Sequence, residues 1–249
     1  MIAIRNAREI ELIRQSCQMV ADALDLAEQM IKPGVRIIDI DKAVEDLIRS
    51  RNARPAFKGF RGFPASICAS VDDQVVHGIP DERTLQEGQI ISIDIGVEQN
   101  NYFGDAARTY AVGEIDEDKA RLMLVTKESL LKGIEQAKKG NRLSDISHAV
   151  QKHVEKAGFS VVRELVGHGI GEELHEEPQI PNYGRPNRGP RLKIGMVLAI
   201  EPMVNMGGYQ VETADDKWTV LTMDGLPSAH FEHTIVITER GPEILSINK

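Results

Sequence analysis

The chain repeats itself, and the repeat limits the folds open to it. KPGVRIIDIDKAV (32–44) lies over KKGNRLSDISHAV (138–150) at a constant offset of 106, with Lys, Gly, Arg, Asp, Ile, Ala and Val coinciding. Further on, EGQIISID (87–94) lies over IGMVLAIE (194–201) at an offset of 107. Two separate blocks at nearly one offset mark an ancient duplication, and two copies are too few for a solenoid. The expectation is one pseudo-symmetric unit over residues 1–249, with halves of roughly 1–115 and 116–249.

Each copy opens on a pair of helices. Ile10, Ile13, Cys17, Val20, Leu24, Ala27 and Ile31 recur at steps of three and four, which puts one apolar stripe along a helix. Lys32-Pro33-Gly34 stops it, because proline cannot continue the hydrogen-bond ladder. A shorter helix follows, with Ile40, Ala43, Val44, Leu47 and Ile48 inward. In the second copy a helical pattern over 118–137 stops at Lys138-Lys139-Gly140, and a short helix carries Ile146, Ala149, Val150 and Val154. Strand signals come after each pair, at 90–97 and 102–112, then at 196–204, 218–223 and 232–238. Stretches rich in Gly and Pro at 59–64 and 181–190 read as loops, and no linker divides the chain. The fold class is α+β.

Composition narrows the function. A net charge of −8 argues against a surface built on general basic excess, so no direct nucleic-acid partner is expected. Cys17 and Cys68 are the two cysteines; two free thiols in a reducing compartment are expected. Charges interrupt every apolar stretch near the N-terminus, and no run is long enough for a membrane span. The expected location is the cytoplasm, with no membrane partner.

The chemistry shows where acids sit on segments that otherwise look buried. Asp94 lies between Ile93 and Ile95, Glu201 follows Leu198-Ala199-Ile200, and Glu232 precedes Thr234-Ile235-Val236-Ile237. An isolated buried carboxylate costs several kcal/mol, so it must pair with a cation, bind a metal or stay protonated. Asp94 and Glu201 hold matching places in the two copies. Asp105 shares a strand face with Ala107 and Thr109, one strand from Asp94 across a turn at Asn100-Asn101. Any one of these acids reads as the partner of an arginine; together, placed by symmetry, they read as a metal cluster for hard to borderline divalent ions.

Three histidines stand beside glycines or prolines: His77 in HGIP, His168 in GHGIG and His175 in HEEP. His148 and His153 read as ordinary polar residues of a helix. The HExxH pattern fails because position 179 is Gln, and neither a phosphate loop nor a GxSxG elbow is present. Cys68 reads as a packed side chain rather than a nucleophile.

In order and spacing, SVDDQVVHGIP (70–80), GQIISIDIGVEQNNYFGDAARTY (88–110), GHGIGEELHEEP (167–178), GMVLAIEPMV (195–204) and FEHTIVIT (231–238) resemble the type I methionine aminopeptidases of bacteria, in their short form. The resemblance covers almost the whole chain. It implies the pita-bread fold of that peptidase family, with pseudo-two-fold helix–strand halves around a central antiparallel sheet. It implies removal of initiator methionine from nascent polypeptides before small second residues, through attack of a metal-bridged water on the first peptide bond.

Carried over residue by residue, the resemblance makes Asp94, Asp105, His168, Glu201 and Glu232 the ligands of two divalent ions (Mn, Fe, Co or Zn). The substrate's free α-amine docks at the ion near Asp94. Glu201 also accepts the proton of water, His175 donates to the developing oxyanion, and His77 holds the substrate backbone. Phe60, Phe63, Cys68, Leu174 and Trp218 line the methionine pocket beside His77. The implied partners are nascent N-termini, met at the ribosome, and the implied state is a monomer. The chain departs from the family pattern at Asp72, usually Asn; at Val76, often Cys; and at Leu174, often aromatic. These departures bear on pocket shape and second-residue tolerance. Two rival readings remain: an X-Pro or dipeptide peptidase of the same fold, and a non-catalytic binding protein on it.

Overall fold

The computed structural model describes residues 2–248. The first copy comprises α1 (Ala7–Met30), α2 (Ile37–Ser50), β1 (Arg54–Pro55), β2 (Cys68–Val71), β3 (Gln74–Val76), β4 (Ile90–Gln99) and β5 (Tyr102–Ala111). The second opens with α3 (Glu117–Gln136) and α4 (Leu143–Lys156). Ten short strands follow: β6 (Ser160–Val161), β7 (Val166–Gly169), β8 (Glu176–Pro181), β9 (Val197–Ile200), β10 (Met203–Asn205), β11 (Val211–Thr213), β12 (Val220–Thr222), β13 (Ser228–His230), β14 (His233–Thr238) and β15 (Gly241–Ile244).

Local chemistry sets the ends of these elements. Asn6 caps α1 by accepting from the Arg8 and Glu9 backbone N–H groups, and the Glu9 carboxylate accepts from the Asn6 N–H in return. Asp116 caps α3 through the Lys119 N–H at 2.7 Å. Asn100 and Asn101 both adopt positive φ, 56° and 63°, and so close the β4–β5 hairpin with a two-residue turn matched to strand twist.

Each half packs its helix pair against its own sheet. Ile91, Ile93, Ile95 and Val97 of β4 bury against Val20, Leu24 and Ala27 of α1 and Ile40, Val44 and Ile48 of α2. Leu198, Ile200, Ile235 and Ile237 of β9 and β14 bury against Leu130 and Ile134 of α3 and Ile146 of α4. At about 1.5–3 kcal/mol for each fully buried Leu or Ile, each helix pair is held to its sheet by many times thermal energy. The sheets are antiparallel: β1-β4-β2 with β5 on β4 in the first half, and β15-β14-β9-β7-β8 in the second.

The continuous strand expected at 196–204 is broken. β9 stops at Ile200 and pairs with β7 and β14, whereas β10 starts at Met203 and pairs with β6 and β13 of another sheet. Pro202 lacks the N–H that a continuous ladder needs, so the chain leaves one sheet at Glu201 and enters the next. The strand expected at 232–238 begins one residue later, at His233. The strand expected at 218–223 shrinks to Val220–Thr222. Both cysteines are buried and unbridged. Among the described residues no helix is long and apolar enough to cross a membrane.

Candidate active site

The two halves meet where β5 faces β14. The Glu232 N–H donates to the Ala107 carbonyl at 2.9 Å, and Thr234 Oγ1 donates to the Asp105 carbonyl at 2.7 Å. This junction gathers the four acids. Asp94 lies opposite Ala107 and Asp105 opposite Gly96, so both carboxyls share one face of the β4–β5 hairpin. Glu201 and Glu232 flank the ends of β9 and β14, just outside the paired region. Ligand atoms of Asp105, His168 and Glu232 lie within 4.8 Å of one another, and His168 Nε2 is 3.5 Å from Glu201 Oε1.

Among the described residues, the only basic side chains in ion-pair range of the four are His168 and His230, each beside Glu201. Asp94 Oδ1, Asp105 Oδ1 and Glu232 Oε1 are buried and receive no hydrogen bond from the protein. Burial pushes the Asp94 carboxyl up to about 7. Burial first, then the neighbouring carboxylates, raise Asp105, Glu201 and Glu232 well above the ordinary range. Such a cluster is stable in its ionised form only around cations. His168 fits the same purpose. Its Nδ1 donates to the Gly169 carbonyl at 2.9 Å, which leaves the Nε2 lone pair facing the acids, and burial holds its pKa down to about 4. The oxygen-rich donor set with one imidazole nitrogen fits divalent ions.

The cluster lies in a cleft of about 840 Å³ whose walls include Phe60, Phe63, Cys68, His77, Leu174, His175 and Trp218. Thus the residues to which the sequence assigned substrate contacts line one cavity with the four acids and His168. Phe63 meets Trp218 edge to face at 5.2 Å, and both rings line the cleft. Cys68 lies opposite Asp94 on β2, and burial raises its thiol well above the usual value. The His175 ring stands 4.4 Å from His168 and 5.3 Å from Phe60, and burial, followed by repulsion from His168, lowers its pKa to about 3. It is therefore a neutral imidazole at neutral pH.

His77 follows β3 with φ of 59°, a left-handed conformation that a non-glycine residue adopts at a cost of about 1–3 kcal/mol. The next residue is held against β2. A Cβ at Gly78 would overlap the Ala69 carbonyl, and the Gly78 N–H donates to Ser70 Oγ at 3.1 Å. Burial lowers the His77 pKa. The strained backbone and the close approach together aim His77 into the cleft.

Of the three departures from the family pattern, Val76 and Leu174 line the cleft. Asp72 does not. It sits in the β2–β3 turn, where Oδ1 accepts from Lys119 Nζ at 2.7 Å and from the Ile90 N–H at 3.2 Å, so its charge is absorbed by α3 rather than by the pocket. Sequence reading missed Arg5, Arg61, Glu172 and Met203 in the cleft wall, and His230, whose Nε2 lies 3.7 Å from Glu201 Oε2. Only His230 carried a sequence signal, two residues before Glu232 on an apolar segment.

The family model for "Metallopeptidase family M24" matches residues 11–239. A methionine aminopeptidase of Clostridium acetobutylicum is 56% identical over 99% of both chains. The crystal structure of a methionine aminopeptidase from Thermotoga maritima superimposes with a TM-score of 0.98, at 47% identity and full coverage of both chains. A prolidase from Pyrococcus furiosus shares the fold at a TM-score of 0.81, with 26% identity over 99% of this chain and 66% of its own. The strand topology, the buried acid cluster and these likenesses agree: the chain belongs to metallopeptidase family M24.

Proposed function

We propose that the protein is a metal-dependent aminopeptidase that removes N-terminal methionine from newly made polypeptides. The carrying observation is the buried cluster of four acids with His168, in a cleft whose wall includes the Phe63–Trp218 pair. Asp94, Asp105, His168, Glu201 and Glu232 would hold the metal. Four ionised carboxylates carry four negative charges, which two divalent cations balance. The chemistry such ions supply when bound is polarisation of the scissile carbonyl and a lowered pKa for attacking water.

The chain's own groups do the rest. Glu201, one of the ionised carboxylates, accepts a proton from water at a carboxylate oxygen and later gives it to the leaving amine. Neutral His175 donates a ring N–H to the carbonyl oxygen as it gains charge, an interaction worth about 2.7–4 kcal/mol where a single such donor has been removed. His77 donates to the peptide around the bond being cut. Phe60, Phe63, Cys68, Leu174 and Trp218 enclose the methionine side chain, whose polarizable sulfur gains from aromatic edges. Small second residues are preferred, because a bulky side chain would meet the rim of the cleft. The protein acts as a cytoplasmic monomer on nascent chains at the ribosome, where initiator methionine is first exposed.

The test is hydrolysis of Met-Ala-Ser by metal-stripped protein re-supplied with Mn, Co, Fe or Zn, against Leu-Ala-Ser and Met-Pro controls. Metal-dependent release of methionine with little leucine is the expected result. Tight metal binding without release in any condition refutes it and favours a non-catalytic role.

A further inference from the structure

Arg5 is a buried cation in the cleft wall that the acid cluster does not use. It lies in the arm before α1, and its side chain is 6% exposed. The arm is fixed by the Arg5 N–H, which donates to the Gly195 carbonyl at 2.8 Å. From there the guanidinium reaches the turn after β7 and the start of β8: Nη1 donates to Glu172 Oε2 at 2.9 Å, and Nη2 to Glu176 Oε1 at 2.5 Å. The same Glu176 oxygen accepts from the Glu172 and Glu173 backbone N–H groups, at 2.8 and 3.1 Å. One carboxylate oxygen therefore knots the turn that carries His175, and Arg5 ties that knot to a distant part of the chain. Gly171 makes room, because a Cβ there would collide with the guanidinium. The root of the turn is held from the other side by the Phe103 N–H, which donates to the Gly171 carbonyl at 2.8 Å.

His175 itself has no such anchor. Among the described residues no hydrogen bond holds its ring, which is placed by packing on His168 and Phe60 and by the backbone next to Glu176. We propose that Arg5 is the positioning residue for His175: through Glu176 and Glu172 it sets the backbone that aims the imidazole at the substrate carbonyl. The proposal rests on the reading of His175 as the donor to that carbonyl. Charge-assisted hydrogen bonds to a buried guanidinium are strong and directional, so they suit a group that must be fixed without touching substrate. A small displacement of a polarising group costs rate rather than affinity.

The experiment compares metal-loaded wild type, Arg5→Lys, Arg5→Met, Glu172→Gln, His175→Ala and the Arg5→Met/His175→Ala double variant on Met-Ala-Ser. Metal content and thermal unfolding are measured for each. Arg5→Met is expected to lower kcat roughly tenfold with KM within about twofold and metal content unchanged, while Arg5→Lys recovers part of the loss. Added to His175→Ala, it should lower kcat less than about twofold further, because the group it positions is gone. Wild-type kcat in Arg5→Met, or the same fold-loss in both backgrounds, overturns the proposal. Wild-type kcat in His175→Ala instead sinks the reading of His175. Should Arg5→Met not fold, Glu172→Gln decides. It replaces a charge-assisted hydrogen bond to Arg5 by a neutral one at a side chain that is 62% exposed, and an unchanged kcat there overturns the proposal as well.

Discussion

Stripping the metal should make this protein less stable as pH rises above neutrality, against the usual trend. Asp94 is pushed up to about 7, and Asp105, Glu201 and Glu232 are raised well above the ordinary carboxylate range, all chiefly by burial. In the unfolded chain these groups titrate near about 3.9–4.3 and are fully ionised at pH 7. The metal-free native state therefore binds more protons than the unfolded state, and its stability falls as pH rises toward and through the raised values. Each proton retained contributes a slope of about −1.4 kcal/mol per pH unit. From pH 7 to 8.5 that is about 2 kcal/mol for each proton retained, or about 5 °C in Tm for a chain of this size.

Buried histidines do not reverse the sign in this window. His168 and His233 are lowered to about 4, and His175 and His230 to about 3, so each is neutral in the native state. Their contribution is fully present above an unfolded value of about 6.5 and is lost only as pH falls below it. Thermal unfolding followed by circular dichroism, with and without saturating divalent metal, measures the difference. The loaded protein should show a flat profile from pH 7 to 8.5, because its carboxylates are ionised in both states. A metal-free Tm that is flat or rising over the same range refutes the reasoning, since the acids would then be ionised without a cation.

Glu201→Gln should lower kcat roughly 10²–10⁴-fold, the range for loss of a general base, and also weaken metal binding by calorimetry. Wild-type turnover would break the assignment. Trp218→Ala removes the aromatic partner of Phe63 from the cleft wall and should raise KM for Met-Ala-Ser about tenfold, equal to about 1.4 kcal/mol, while narrowing the preference for methionine over leucine. An unchanged Met/Leu ratio removes Trp218 from the pocket. Burial lifts Cys17 to about 12 and Cys68 well above its usual value, so native protein should resist iodoacetamide at pH 7.5, whereas denatured protein is modified at both cysteines. Mass spectrometry distinguishes the two, and rapid labelling of the native form contradicts the burial.

The helices and the acid positions were legible because both leave local patterns. The stripe from Ile10 to Ile31 needs only 3.6-residue periodicity, and an Asp between two isoleucines on a strand is anomalous wherever the strand lies. The duplication added what local pattern cannot, namely that Asp94 and Glu201 point to one place. What stayed hidden depended on long-range partners. Arg5 reads as an ordinary charge before a helix until Glu172 and Glu176, 167 and 171 residues later, fold against it. Asp72 looked like a change to the pocket because its partner Lys119 is 47 residues away. The break at Glu201-Pro202 was readable in principle, since proline is a poor central-strand residue, but the apolar run around it argued more loudly for continuity.

That break also separates two kinds of sequence space. The second half alone inserts β10 to β13 between the strands that match β4 and β5, and this inserted stretch brings Trp218 and Met203 to the cleft. The acids other than Glu201 stand on or beside the long paired strands, where a substitution disturbs the scaffold itself. A directed-evolution library seeking altered side-chain preference should therefore randomise 205–228 and leave the β4–β5 hairpin untouched.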